Sequence, residues 1–332
     1  MRGILDDLIR WLAAGESIAL ATVVGADGSS PRPVGSRMAV TASGEMSGSV
    51  SGGCVEGDVL REAQRVLGDG EVRRLRYTAA EEEGWEVGLA CGGTIDVFVE
   101  PFTEIHRTLT DALGSDESVG MATRLDGEGH LLAWPDGRLH GDRSLTSQVT
   151  AFLAAEPSPS CTLQEGKSLE RDIFLEVFAR PPTLTIVGAV HIAVPLVTMA
   201  QVLGFRVRLV DARRAFATRD RFPSVDDLVV AWPIDALRPQ DLRPRDAVVV
   251  LTHDPKFDVP ALEVALRSPV GYIGLLGSTT TQEARREALR KKGFGDESLE
   301  LIHGPVGLDL GGRRPAEIAL AILGEIVSMQ NQ

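Results

Sequence analysis

The sequence predicts a mixed α/β chain: an N-terminal α+β domain followed by a Rossmann-like, doubly wound parallel sheet. Three observations carry that reading. A chain of 332 residues exceeds one ordinary core and suits two. As far as Arg180-Pro181-Pro182, short alternating apolar segments are punctuated by glycine turns. Beyond the prolines, strand, turn and helix alternate, the pattern of parallel units. The domains therefore read as 1–178 and 181–332, with a candidate sub-boundary near Pro101.

The opening run MRGILDDLIRWLAAGES places Ile4, Leu8, Trp11 and Leu12 at helical spacing and carries early acids, so it reads as a helix and not a signal peptide. IALATVV, RMAVT and EMSGSV follow as strands. GSVSGGCVEGDVLREAQRVL then delivers Cys54 from a glycine loop into the first turn of an amphipathic helix. VRRLRY and TIDVFVE are strands, the latter alternating cleanly from Thr94 to Glu100. MATRLD, HLLAW and RLHGD form a meander turned by DGEG and PDG, before a helix from Ser144 to Ala155, an exposed loop at EPSPS and the strand DIFLEVFA. In the second half TLTIV, FRVRLV, DLVVAW, DAVVVLTH and VGYIGLLGS are short apolar strands. The stretches between them, ALEVALRS and TTTQEARREALRKKG among them, have helical period.

Composition narrows the function classes. Hydrophobic content of 43% with 24% charged residues is that of a globular protein, and no apolar run approaches the length of a membrane span. A net charge of −13 argues against nucleic acid as a partner. Three widely spaced cysteines are too few for a disulfide framework and fit a reducing cytoplasm.

Cys54, flanked by Gly52 and Gly53, and Cys91, followed by Gly92 and Gly93, are the leading candidates for chemistry. A thiol at a helix N-terminus meets unpaired N–H groups that favour a thiolate or hold an anion, and the glycines let a bulky ligand approach the backbone. The plain alternative is a small buried hydrophobe. Cys161 has no such frame and reads as incidental. Arg37, with Ser29, Ser30 and Arg32, suits a phosphate or carboxylate clamp, unless these residues only shape a turn. Glu56 and Asp58 either stabilise the helix dipole or meet a ligand.

Right-handed crossovers put Gly188, Asp211, His253 and Gly277 at one sheet edge, with His191 and Ser278 beside them. The nucleotide fingerprint is impaired there: Gly188-Ala189-Val190-His191-Ile192-Ala193 has Val190 where a glycine approaches pyrophosphate, although Asp211 is placed to bond a ribose. Gly277 and Ser278 form either a phosphate cradle or a simple helix cap. His191, His253 and Asp254 lack further ligands at zinc spacing, and His130, His140 and His303 read as surface residues. An NAD(P)-dependent oxidoreductase is the alternative reading of this half, but no Tyr-x-x-x-Lys pair exists: Leu276 stands four residues after Tyr272 and Glu81 four after Tyr77.

GSSPRPVGSRMAV, GSVSGGCVEGDV, ACGGTIDVFVEP, TIVGAVHIA, VDAR, LTHDPKFD, GYIGLLGS and GPVGLDLGGRRPAEIALAI, in this order, resemble the XdhC/CoxI-type xanthine dehydrogenase accessory family over most of the chain. The chain departs from the family pattern at Val190, where relatives read Gly-x-Gly-His. The resemblance implies a chaperone more than a catalyst. It would bind molybdenum cofactor, with Cys54 as a molybdenum contact, help modify it and deliver it to a molybdenum hydroxylase such as xanthine dehydrogenase. A cysteine desulfurase is implied as a sulfur-donating partner, and a homodimer as the assembly. A molybdopterin fits the residues chemically, since its soft, sulfur-rich metal centre suits thiolate and its phosphate suits backbone donors.

Overall fold

The computed structural model describes residues 1–78, 92–154, 160–164 and 172–330, with 160–164 as backbone only. The chain forms two compact units, Met1–Arg180 and Pro181–Gln332.

The first unit holds two antiparallel sheets. After helix α1 (Leu5–Ala13), strands β1 (Ile18–Asp27), β2 (Arg37–Thr41) and β3 (Met46–Gly48) lead to helix α2 (Glu56–Asp69) and strands β4 (Arg73–Tyr77) and β5 (Thr94–Pro101). These five strands pair in the order β3-β2-β1-β5-β4. Period-two alternation divides β1 between two cores: Ala19, Ala21 and Val23 pack under Val59 and Ala63 of α2, whereas Ile18 and Leu20 face Leu8 and Trp11 of α1. Both faces are covered, so β1 is buried along most of its length.

Helix α3 (Glu104–Gly114), absent from the sequence reading, follows with a capping box between Thr103 and His106. Strands β6 (Val119–Arg124), β7 (His130–Ala133) and β8 (Leu139–Gly141) form the expected meander. Helix α4 (Thr146–Ala154) and strands β9 (Ser160–Gln164) and β10 (Asp172–Phe178) complete a sheet ordered β8-β7-β6-β10-β9. Cys161, expected in a loop, therefore lies on a strand paired with Leu175.

Charged contacts cross between the two sheets. Arg37 of β2 holds Glu176 of β10 through both guanidinium nitrogens, one at 2.8 Å. Arg74 of β4 lies 2.7 Å from Asp172, and Glu100 of β5 lies 2.7 Å from His130 of β7. Apolar contact among Val24, Phe98, Leu125 and Phe174 joins the same sheets.

The second unit is a six-stranded sheet of β11 (Thr183–Val187), β12 (Arg206–Val210), β13 (Asp227–Val229), β14 (Ala247–Val250), β15 (Tyr272–Leu275) and β16 (Ile302–His303). Its order, β13-β12-β11-β14-β15-β16 with every pair parallel, is the 3-2-1-4-5-6 arrangement of a doubly wound nucleotide-binding sheet. Helices α5 (Ala193–Val202), α6 (Pro233–Ala236), α7 (Pro255–Leu266), α8 (Thr279–Arg290), α9 (Asp296–Glu300) and α10 (Pro315–Gln330) complete the unit. Leu184, Ile186, Val207 and Leu209 pack under α5 and α10, while Val187, Val210, Val248 and Val250 pack on the α7 and α8 side. Strands covered on both faces must be apolar at every position, which is why they read as runs of valine and leucine. Each such side chain contributes about 1.5–3 kcal/mol by leaving water.

Candidate functional site: the Cys54 loop and the sheet-edge crevice

Cys54 is an exposed free thiol, and its helix begins later than the sequence reading places it. Val55 is the N-cap and α2 starts at Glu56, so Cys54 sits in the loop, not in the first turn. Buried Val55 anchors the loop beside Val59, which leaves the neighbouring thiol in solvent.

The anion for which this loop is built is its own Glu56. That carboxylate accepts the backbone N–H groups of Val50, Ser51, Gly52 and Gly53 at 3.2, 2.9, 3.0 and 2.8 Å. It also accepts the hydroxyls of Ser49, at 2.6 Å, and Ser51. Partial burial pushes the Glu56 carboxyl up, but the serine hydroxyls and backbone donors outweigh it and bring it down to about 2. Glu56 is therefore an organiser of the loop and not a free ligand. Asp58 is likewise engaged, by Tyr77 Oη at 2.7 Å and by Arg61. Gly52 and Gly53 have positive φ of 77° and 121°, which lets successive amides converge on one carboxylate, and both open onto free space.

Cys91 lies outside the described residues. Gly92 is exposed with open space beside it, whereas Gly93 is buried because a Cβ there would stand 2.4 Å from the Ser29 carbonyl oxygen. The close approach that Gly93 permits is thus to its own chain. Arg37 departs from the sequence expectation: buried against Glu176, it has its guanidinium committed to the seam between the sheets and offers no anion clamp.

In the second unit Gly188, Asp211, His253 and Gly277 do follow the C-terminal ends of β11, β12, β14 and β15. Asp211, expected to bond a ribose, is fully buried and already saturated. It accepts the Ala189 amide at 2.8 Å, the Arg213 amide at 2.9 Å and the Arg213 guanidinium at 2.9 and 2.6 Å. Burial pushes its carboxyl up, and these donors hold it below the usual range. Arg221 clamps the same turn from its other side by donating to the Ala189 carbonyl at 2.9 Å. Gly188, with φ of 113°, is required because a Cβ would strike Thr252 at 2.6 Å. Val190 turns inward onto the core cluster. Ser278 is the N-cap of α8, accepting the Thr281 amide at 3.4 Å, so its oxygen serves the helix first.

His191 and His253 are exposed at the crevice. Asp254 does not pair with His253 but caps α7 through the Lys256 amide at 2.9 Å. Beneath them buried Asp258 joins Thr252 and Arg285, the latter at 2.8 Å, and Arg285 donates to the His253 carbonyl at 2.9 Å. Two histidines read as surface residues are partly buried: His303 stacks on Tyr272 at 4.8 Å, and His130 meets Glu100. The cluster of Glu100, His106 and His130 escaped the sequence reading because its members come from β5, α3 and β7.

The fold and the loop define a two-unit α/β protein that presents a thiol in one unit and a doubly wound sheet edge in the other. Residues 11–78 match the XdhC and CoxI family and residues 184–326 the XdhC Rossmann domain. A protein of Bacillus subtilis (strain 168), named as one of the probable subunits of xanthine dehydrogenase, is 30% identical over 96% of this chain and 94% of its own length. The "Molybdenum cofactor insertion chaperone PaoD" of Escherichia coli (strain K12) is 28% identical over 99% of this chain and 88% of its own. A crystal structure described as a xanthine dehydrogenase from Bacillus halodurans superposes with a TM-score of 0.81 at 27% identity, covering 98% of this chain and 95% of that one. The chain belongs to the XdhC and CoxI family. Among the described residues no helix is long and apolar enough to cross a membrane.

Proposed function

We propose that this protein binds molybdenum cofactor as cargo and delivers it to a molybdenum hydroxylase of the xanthine dehydrogenase class. The observation that carries the proposal is the exposed Cys54 thiol on a loop fixed from within by Glu56. A soft metal favours sulfur over oxygen, and open space at Gly52 and Gly53 leaves room for a planar ligand beside that sulfur. The loop amides do not fit a phosphate, because Glu56 takes them. In the second unit Gly188, His191, His253 and Gly277 line an edge suited to polar contacts with such a cargo. The name of the chaperone PaoD supports the same reading.

In this reading Cys54 holds the metal end of the cargo and Glu56 keeps the thiol presented. A cytoplasmic location, a homodimer and a cysteine desulfurase as the source of sulfur belong to the same proposal. The NAD(P)-dependent oxidoreductase alternative is weakened by Asp211, whose carboxylate is spent on Ala189 and Arg213. The test is Cys54→Ser in the full chain. The folded variant should lose molybdopterin on gel filtration that the parent retains, and equal retention by both removes Cys54 from the site.

A further inference from the structure

Glu100 ends β5, His106 lies in the first turn of α3 and His130 opens β7, so three elements converge on one point inside the first unit. Their side-chain ligand atoms all lie within 4.8 Å of one another. Glu100 is 4% and His106 2% exposed, while His130 is partly open to solvent. Glu100 Oε2 lies 2.7 Å from His130 Nε2 and Glu100 Oε1 lies 3.4 Å from His106 Nε2. The second approach completes no hydrogen bond: His106 Nε2 is buried, aimed at the carboxylate and without a hydrogen-bond partner. A buried polar atom left in that condition is costly unless something else occupies the point at which it aims.

We propose that Glu100, His106 and His130 form a binding site for one divalent transition-metal ion, zinc by the chemistry of the donors. Two imidazoles and a carboxylate are a zinc ligand set, whereas magnesium and calcium prefer oxygen alone. The partly open His130 side leaves a fourth position for water. Ligation needs a lone pair at Nε2 of each ring, so the His106 proton must reside on Nδ1, where Thr103 Oγ1 stands 3.2 Å away to accept it. That nitrogen otherwise accepts the Thr103 amide at 3.1 Å, so metal binding exchanges one helix-cap bond for a metal bond. Because β5 and β7 belong to different sheets, the ion would rivet one sheet to the other. The site is independent of the proposed cargo role of Cys54.

The test uses the full chain, stripped with a chelator and titrated with zinc chloride or, for its spectrum, cobalt chloride. The expected result is one ion bound per chain, with visible cobalt bands and no thiolate charge-transfer band. Thermal unfolding should shift upward with metal. Glu100→Gln and His130→Asn, each checked for native circular dichroism, should weaken binding at least about tenfold, as should Thr103→Val through loss of the outer hydrogen bond. No stoichiometric uptake by the folded chain, a thiolate-type cobalt spectrum, or uptake unchanged in His130→Asn overturns the proposal.

Discussion

Glu56 accepts the backbone N–H of Gly53 at 2.8 Å, immediately before the exposed thiol of Cys54. A helix N-terminus that could attract an external anion has instead been closed by a carboxylate from the helix itself. The loop is therefore organised before any ligand arrives, and the ligand is offered sulfur more than amide nitrogen.

Glu56→Gln keeps the shape of the side chain and removes its charge. Charge-assisted hydrogen bonds contribute about 1.5–3 kcal/mol, so denaturant unfolding should show a stability loss of that order. The freed amides should also favour a thiolate at Cys54, so its alkylation by iodoacetamide should quicken at neutral pH. If stability and alkylation rate both match the parent, Glu56 does not organise the loop.

The same residue predicts a pH dependence. Its carboxyl is depressed to about 2 in the folded chain, against about 4.3 in an unfolded one. A depressed acid contributes stability that is complete above the unfolded value and is lost as pH falls through the folded one. The stability gap between parent and Glu56→Gln should therefore be constant near neutrality and close as pH falls from about 4 towards about 2. A gap that stays constant across that acid range assigns the depression to another group.

Arg37 and Glu176, with side chains 6% and 3% exposed, should behave as a buried pair. Arg37→Ala strands Glu176 without its cation and should cost about 3–5 kcal/mol. The double change Arg37→Met with Glu176→Leu should recover most of that loss, because neither charge then remains buried alone. Equal losses in the single and double variants, measured by urea unfolding, would show that the arginine stem and not the ion pair is what matters.

The second unit was legible in the sequence because a strand covered on both faces has to be apolar throughout: TLTIV and DAVVVL announce their own burial. The first unit was less so. Helix α3 carries threonine and histidine among its buried positions, which blurs the helical period, and its cap uses His106 where glutamate or glutamine is the usual signal. Site chemistry failed wherever a partner came from far along the chain. Arg37 reads as a free cation until Glu176, from another sheet, is placed against it. Asp211 shows the reverse case, since Arg213 stands only two residues away, yet no spacing rule announces that the guanidinium folds back onto the carboxylate. Cys54 was found because its glycine pair is local; the acceptor that claims the loop amides was local too, but was read as a helix-dipole residue.

Val190 tests the meaning of the altered fingerprint. A glycine at this position would restore the pattern Gly-x-Gly, and on sequence alone Val190→Gly should improve nucleotide affinity. The structure leads to the opposite outcome. Val190 packs against the sheet core, so its removal should cost about 1–3 kcal/mol from lost burial and added chain entropy. Nucleotide affinity should not rise, because the ribose-binding role of Asp211 is blocked by its bonds to Ala189 and Arg213. Titration of parent and variant with NADH and NADPH, followed by cofactor fluorescence, checks both halves. A clear gain in affinity in Val190→Gly would mean that Arg213 yields the carboxylate to a ribose and that the crevice is a nucleotide site obstructed by one side chain.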